Sequence, residues 1–343
     1  MPKISPHFKD ESTILAGDIG GTKANIGLFS VRGNDIQPVC EKSFICKNYA
    51  GLEPILKEFL TISNKNITAA SFGIAGTIYK GKCHPVNLPW TIEIKELRKL
   101  LNTEQVFILN DLEANAWGIS KLSPDEFEIL NDGIEQEGNA ALIAAGTGLG
   151  ESILFWDGTS HIPFATEGGH TDFAPQSTLE TELSAYLVMT FGHVSYERIV
   201  SGPGLHSIYL FLKGAGHFGS EPEGLSQRLR QEEPAAVISE LALSKESELC
   251  EKALDIFVSI FGAEAGNLAL KALAVGGIYL GGGIAPKIIE KLKDGTFLNA
   301  FTSKGRLSNI VSNIPVKVIL NDKTALIGAA YFATQKMRVK SPG

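Results

Sequence analysis

Residues 15–29 read LAGDIGGTKANIGLF and residues 143–155 read IAAGTGLGESILF. In each stretch an apolar run meets a turn of Gly and Thr and leaves in a second run ending Leu-Phe, the pattern of a tight β-hairpin. Glycine lacks a Cβ, so the backbone N–H groups of such a turn can come close to an anion, and Thr22 and Thr147 add hydroxyl donors. Two such turns can grip one phosphate chain from both sides. The expected phosphate-binding residues are therefore Gly20, Gly21 and Thr22 in the first turn and Gly146, Thr147 and Gly148 in the second. A pair of ordinary hairpins accounts for either copy alone. The polar pair Asn110-Asp111 between the two copies argues for a shared purpose.

Asp18 precedes the first glycine turn, where a carboxylate would repel a phosphate unless a divalent cation lay between them. This position implies Mg²⁺, bound directly or through water; the alternative is an Asx-turn that caps the hairpin. Asn110-Asp111 follows the apolar strand Val106-Phe107-Ile108-Leu109 and precedes a helix expected over 112–122. Ligand sites in α/β sheets favour such strand ends. Asp111 is the candidate general base for phosphoryl transfer to an alcohol, with Asn110 beside it to fix the hydroxyl. The competing reading makes Asp111 the N-cap of the helix.

A third constellation is Glu167-Gly168-Gly169-His170 with Asp172, followed by Glu197. Carboxylates, an imidazole and the Asn110 amide match a ring of neighbouring hydroxyls, which is what a sugar presents. His170, Asp172 and a glutamate are also metal-ligand types, though not at a zinc spacing. Residues 214–219, GAGHFG, satisfy G-x-G-x-x-G, but Ser-Glu-Pro-Glu follows instead of an apolar helix, so a dinucleotide site is not expected. The Walker pattern G-x-x-x-x-G-K-[ST] is absent.

The chain has 343 residues, 44% hydrophobic and 20% charged, which suits a soluble α/β protein of two lobes. A net charge of −7 argues against a nucleic-acid surface, and no stretch reads as a membrane span. Four scattered cysteines without a C-x-x-C pair fit free thiols in a reducing cytosol. The polar N-terminus, residues 1–13, has no apolar core of a signal peptide and is expected to be an extension ahead of the first strand. Periodicity predicts helices over 52–62, 94–101, 178–190, 250–273 and 323–335, and strands over 41–46, 69–74, 278–280 and 316–320. The Gly-, Glu- and Pro-rich segment 213–234 is expected to be an exposed loop.

In order along the chain, GDIGGTKANIGL, GIAG, LNDLEANAWG, AAGTGLG, EGGHTDFAP, HVSYERIVSGPGL, GNLAL and GGGIAP resemble the bacterial glucokinase family, hexokinases of the actin-like ATPase superfamily. The likeness runs from about Leu15 to about Tyr331. The ROK sugar kinases share the first hairpin but carry a cysteine-rich zinc motif that this chain lacks, so it resembles the zinc-free branch. The resemblance implies a ribonuclease H-like fold with two lobes flanking a cleft, 1–121 with 321–343 as the small lobe and 122–320 as the large one. It implies phosphorylation of the 6-hydroxyl of glucose by ATP with Mg²⁺, in a cytoplasmic homodimer. Asn110, Asp111, Glu167, His170 and Glu197 would hold the sugar, with Asp111 also as base. Asp18 would join the two glycine turns at the phosphates and Mg²⁺, and Gly281, Gly282 and Gly283 would lie against adenosine. The alternatives are a kinase for another hexose or amino sugar and a sugar-responsive regulator. The regulator would need a helix-turn-helix module, and only about a dozen residues precede the first strand.

Overall fold

Both glycine turns close hairpins. The computed structural model describes residues 11–33, 35–62, 65–216, 218–219 and 221–339; most of the expected N-terminal extension, residues 1–10, lies outside them. Ser12 and Thr13, assigned from sequence to that extension, open the first strand instead. The elements run β1 (Ser12–Ile19), β2 (Lys23–Arg32), β3 (Asp35–Ile45), α1 (Leu52–Leu60), β4 (Ala69–Ile74), β5 (Gly76–Tyr79), β6 (Lys82–Pro85), β7 (Ile92–Glu93), α2 (Ile94–Leu101), β8 (Val106–Asn110) and α3 (Asp111–Ile119). They continue β9 (Phe127–Asn131), β10 (Ala140–Ala145), β11 (Leu149–Trp156), β12 (His161–Ala165), α4 (Thr178–Phe191), α5 (Gly202–Ala215), α6 (Leu225–Gln231), α7 (Pro234–Leu243) and α8 (Glu248–Ala272). The last are β13 (Gly277–Gly281), α9 (Ile289–Lys293), α10 (Thr296–Thr302), α11 (Ser308–Val311), β14 (Val316–Ile319) and α12 (Thr324–Val339). They form two compact units, one running to Ser123 and resuming at Asn321, the other Pro124–Leu320.

In the first unit the sheet order is β3-β2-β1-β4-β8. The hairpin strands pair antiparallel, while β1, β4 and β8 run parallel. Strand residues alternate between two cores, as the pleat requires. Leu15 and Ile19 meet α1 and α2 on one face; Ile14 and Ala16 meet α3 and α12 on the other. With helices on both faces, β1 and β4 read as near-continuous apolar runs. Leu52, Ile55, Leu56 and Phe59 give α1 its buried stripe. Full burial of each such side chain contributes about 1.5–3 kcal/mol.

The second unit repeats this arrangement as β12-β11-β10-β13-β14, with β9 added antiparallel at the edge. Its core centres on α8, which packs with α5, α7 and α10. By length and composition α8 could cross a membrane, but Phe257, Phe261 and most of its other apolar side chains are buried in this core.

Segment 213–234 is not the exposed loop expected. The helix α5 extends into it, and α6 buries Leu225. Arg228 holds Glu232 at 2.8 Å and Glu240 on α7 at 3.0 Å, and Tyr209 Oη donates to Glu221 at 2.7 Å. The charged letters hid a helix whose single buried leucine gives no periodicity. His217 and Ser220 in this segment lie outside the described residues.

The helices α3 and α12 touch backbone to backbone. A Cβ on Gly328 would stand 1.8 Å from the Ala114 carbonyl oxygen, and one on Gly118 would stand 2.1 Å from that of Thr324. No rotamer change relieves a clash with backbone. Gly328→Ala is expected to lower stability by about 1–3 kcal/mol, the usual cost of overpacking, in chemical denaturation; an unchanged midpoint would contradict the close contact.

Candidate active site

In the first unit, the turn after β1 is closed by Gly20 N–H donating to the Lys23 carbonyl at 3.0 Å. A Cβ on Gly21 would fall 2.7 Å from Asn87 Cβ, so the turn is packed where glycine is needed, while the Thr22 side chain at its tip is exposed. Asp18 pairs in register with Asn25 on β2 and Gly73 on β4. Its carboxylate accepts from Asn25 Nδ2 at 3.3 Å, and Asn25 Oδ1 accepts from Ser43 Oγ at 2.6 Å. The bond therefore runs across the strands rather than back into the turn. Burial pushes the Asp18 carboxyl up to about 6; the Asn25 bond opposes the rise and the charge of Asp111 adds to it.

Asn110 ends β8 in register with Ile74 of β4. Its side-chain oxygen accepts from Leu112 N–H at 2.9 Å and Glu113 N–H at 3.4 Å. Asn110 is thus the N-cap of α3 and Asp111 its first residue, which replaces the reading of Asp111 as the cap and starts the helix one residue earlier than expected. The strand β4 lies between the two carboxylates, and a Cβ on Gly73 would stand 2.7 Å from Ala114 Cβ and 3.6 Å from Asp111 Cα. That glycine lets α3 begin close to the sheet. The Cys83 thiol is pushed up to about 11, mainly by burial and also by Asp111.

In the second unit, Gly146 N–H donates to the Gly148 carbonyl at 2.9 Å and Gly202 N–H to that of Gly146 at 2.8 Å, with Thr147 exposed at the tip. Gly282 has φ +80°, and a Cβ there would stand 2.3 Å from the Ala145 carbonyl oxygen, which accepts from Ile284 N–H at 3.2 Å. The turn 281–283 thereby sits against the end of β10, next to turn 146–148, because β10 and β13 are parallel neighbours.

Glu197 Oε2 accepts from Leu149 N–H at 3.0 Å. It fits because Gly148 has no Cβ; one there would be 2.5 Å from that oxygen. Glu197 Oε1 lies 4.0 Å from His170 Nδ1, and His170 Nε2 lies 3.9 Å from Glu167 Oε2. Three expected sugar residues thus form one chain of polar groups beside the second glycine turn. The bend that carries two of them depends on glycine: a Cβ on Gly168 would meet Glu151 Oε2 at 2.0 Å, and one on Gly169 the Leu149 carbonyl oxygen at 2.0 Å. Asp172 instead pairs with His193 at 2.7 Å. Among the described residues no three His, Cys, Asp or Glu side chains converge to hold a metal, so the metal reading of His170 and Asp172 lacks a ligand set.

Residues 15–336 match the family model for glucokinase. The chain belongs to the glucokinase family. It is 39% identical over 338 residues to a glucokinase of Nostoc punctiforme, an alignment covering 94% of this chain and 99% of that one. A glucokinase structure from an Antarctic psychrotroph matches with a TM-score of 0.83 at 28% identity, over 94% of this chain and 99% of the other. A ROK family glucokinase from Streptomyces griseus, solved with glucose and AMPPNP, shares the fold with a TM-score of 0.62 at 20% identity, over 95% and 100%. The α/β fold of the actin-like sugar kinases is therefore the fold of this chain, as the motifs implied.

Sequence reasoning missed the supports of these groups. Asn25 and Ser43 bond in series to Asp18, Asn267 donates to Tyr196 next to Glu197, and Glu151 and Glu264 are buried glutamates visible as charges inside apolar segments.

The raised Asp18 carboxyl has a thermodynamic consequence. Its folded value of about 6 exceeds its ordinary 3.8, so the folded state holds the proton more tightly. Charging Asp18 then opposes folding as pH rises through that interval, and the cost persists above it. Without ligands, Asp18→Asn is expected to melt at a higher temperature than the wild type above pH 6, the difference closing toward pH 4. Equal midpoints at pH 8 would contradict this.

Proposed function

We propose that this chain transfers the γ-phosphoryl group of ATP to the 6-hydroxyl of glucose, giving glucose 6-phosphate and ADP. The observation that carries this reading is the linkage of Glu167, His170 and Glu197 to the backbone of the second glycine turn through Leu149 N–H, in a chain of the glucokinase family. A cluster of carboxylate and imidazole beside a glycine turn suits a polyol next to a phosphate.

Glu167, His170 and Glu197 bind sugar hydroxyls in the second unit, and Asn110 and Asp111 do so in the first. The Asn110 side-chain oxygen is committed to the helix cap, so its NH₂ group is the end left to donate to the sugar. Asp111 accepts the proton of the 6-hydroxyl as that oxygen bonds to the γ-phosphorus and the bond to the ADP oxygen breaks. The turns at 20–22 and 146–148 hold phosphate oxygens, and the turn of Gly281, Gly282 and Gly283 lies against adenosine.

The donor set fits one divalent cation shared with the nucleotide. Asp18 and Asp111 are two carboxylates that repel each other, and no all-protein cage exists among the described residues. Mg²⁺ bound by phosphates and one or two carboxylates matches that pattern, with Asp18 as its protein ligand, direct or through water. When bound it would neutralise phosphate charge.

The free thiols Cys46, Cys83 and Cys250 are buried and Cys40 is partly so, which fits a reducing cytoplasm; a homodimer is proposed on the family resemblance. Groups that match neighbouring hydroxyls favour a hexose without selecting its epimer. A coupled kinase assay over glucose, mannose, fructose and N-acetylated amino sugars, with and without Mg²⁺, is expected to show the highest kcat/KM for glucose and dependence on the cation. Asp111→Ala should cut turnover by at least about 10²-fold with the fold retained; near-normal turnover would refute the assigned base.

A further inference from the structure

Beneath the loop that carries Glu167 and His170 lies a buried polar network. Glu151 is 2% exposed on β11, and Glu264 is fully buried on α8. Their carboxyl groups lie within hydrogen-bonding reach of each other. Both oxygens of Glu264 already accept from donors: Lys271 Nζ at 2.9 Å and Asn267 Nδ2 at 2.8 Å. Glu151 Oε1, by contrast, is buried without a hydrogen-bond partner among the described residues. Two carboxylates in contact can bond only through a proton, and a buried pair cannot hold two full charges. Burial foremost, and then the charge of Glu264, push the Glu151 carboxyl up to about 8, with Lys271 opposing.

The network reaches both carriers of the expected sugar groups. On one side, Glu151 Oε2 occupies the space where a Gly168 Cβ would be. The Glu151 carbonyl oxygen accepts from Thr166 Oγ1 at 2.9 Å, and that hydroxyl accepts from Gly168 N–H at 3.2 Å. On the other side, Asn267 Nδ2 donates to Tyr196 Oη at 3.0 Å, and Tyr196 directly precedes Glu197. Lys304 Nζ fixes Asn267 through its side-chain oxygen at 2.9 Å and also holds the Ala263 carbonyl at 2.8 Å.

We propose that Glu151 is a positioning residue for sugar binding: as a neutral acid it donates its proton to Glu264, and this bond seats β11 on α8 so that Glu167, His170 and Glu197 keep their mutual spacing. The inference rests on the assignment of those three residues to the sugar. The charged and titratable groups facing the pair are Lys271 on α8, Lys304 after α10 and the Tyr196 hydroxyl, none of which supplies Glu151 with a partner cation of its own. Loss of the Glu151 proton places two anions side by side in a dry site, separates β11 from α8 and spoils the sugar groups.

The test is glucose binding by titration calorimetry, without nucleotide, from pH 7 to pH 9. If the neutral form binds, loss of one proton near pH 8 weakens wild-type binding about tenfold over that range. Glu151→Gln fills the same space and donates N–H to Glu264 at every pH. It should bind within about twofold of the wild type at pH 7 and show no such pH slope. The same slope in Glu151→Gln as in the wild type would overturn the positioning role. Should that variant not fold, Glu264→Gln serves instead: it removes the second negative charge, so an ionised Glu151 no longer faces an anion, the slope should again vanish, and a retained slope overturns the role. His170→Ala tests the sugar assignment separately from the positioning role. Affinity unchanged in His170→Ala overturns the sugar assignment itself; weakened binding there, with the slope intact in Glu151→Gln, overturns the positioning role alone.

Discussion

The first unit is arranged around the carboxylate of Asp18, whose charge is disfavoured first by burial and further by the charge of Asp111. The sheet order puts the ends of β1 and β8 on either side of β4, and Gly73 on β4 lets α3 start close to the sheet. Each carboxylate is thereby brought to the same end of the parallel strands, where α/β sheets bind ligands. The arrangement costs stability in the empty protein, since Asp18 is charged above about pH 6 in a half-buried place. A cation and a phosphate would turn that cost into binding.

The second unit uses the same strand order for a different set of side chains. Leu149 N–H, the first donor after the glycine turn, is taken by Glu197, so the proposed sugar-binding carboxylate is tied to the strand that leaves the proposed phosphate turn. Glycines at 148, 168 and 169 make this possible by removing Cβ atoms that would strike Glu197, Glu151 and the Leu149 carbonyl. The residues expected to touch substrate are exposed or half-exposed, whereas Tyr196, Glu151 and Glu264 are buried.

Much of this was legible in the letters. Both hairpins, α1 and the strand-to-helix passage at 106–111 follow from apolar spacing and glycine turns, which act locally. The helices α5 and α7 were missed because Ser-Gly-Pro and Glu-Pro look like loop letters. In the structure Ser201 caps Gly204 N–H at 3.1 Å and Glu233 caps Ala236 N–H at 2.7 Å, with Pro203 and Pro234 in the first turns, a start signal that went unused. The residue types of the site were also readable, but their division of labour was not. Asn110 and Asp111 are both good caps by composition, and only the backbone bonds show that Asn110 takes that role. Contacts such as Glu151 with Glu264, or Gly328 with Ala114, join distant parts of the chain and leave no local trace.

The first unit's carboxylates are expected to demand a cation before they accept a nucleotide. Titration calorimetry of ATP into the wild-type protein, in buffer with Mg²⁺ and again with the cation removed by chelator, measures this directly. Tight binding with Mg²⁺ and binding weakened by at least about tenfold without it is the predicted result, since bare triphosphate would meet Asp18 and Asp111 unshielded. Equal affinity in the two buffers would contradict it.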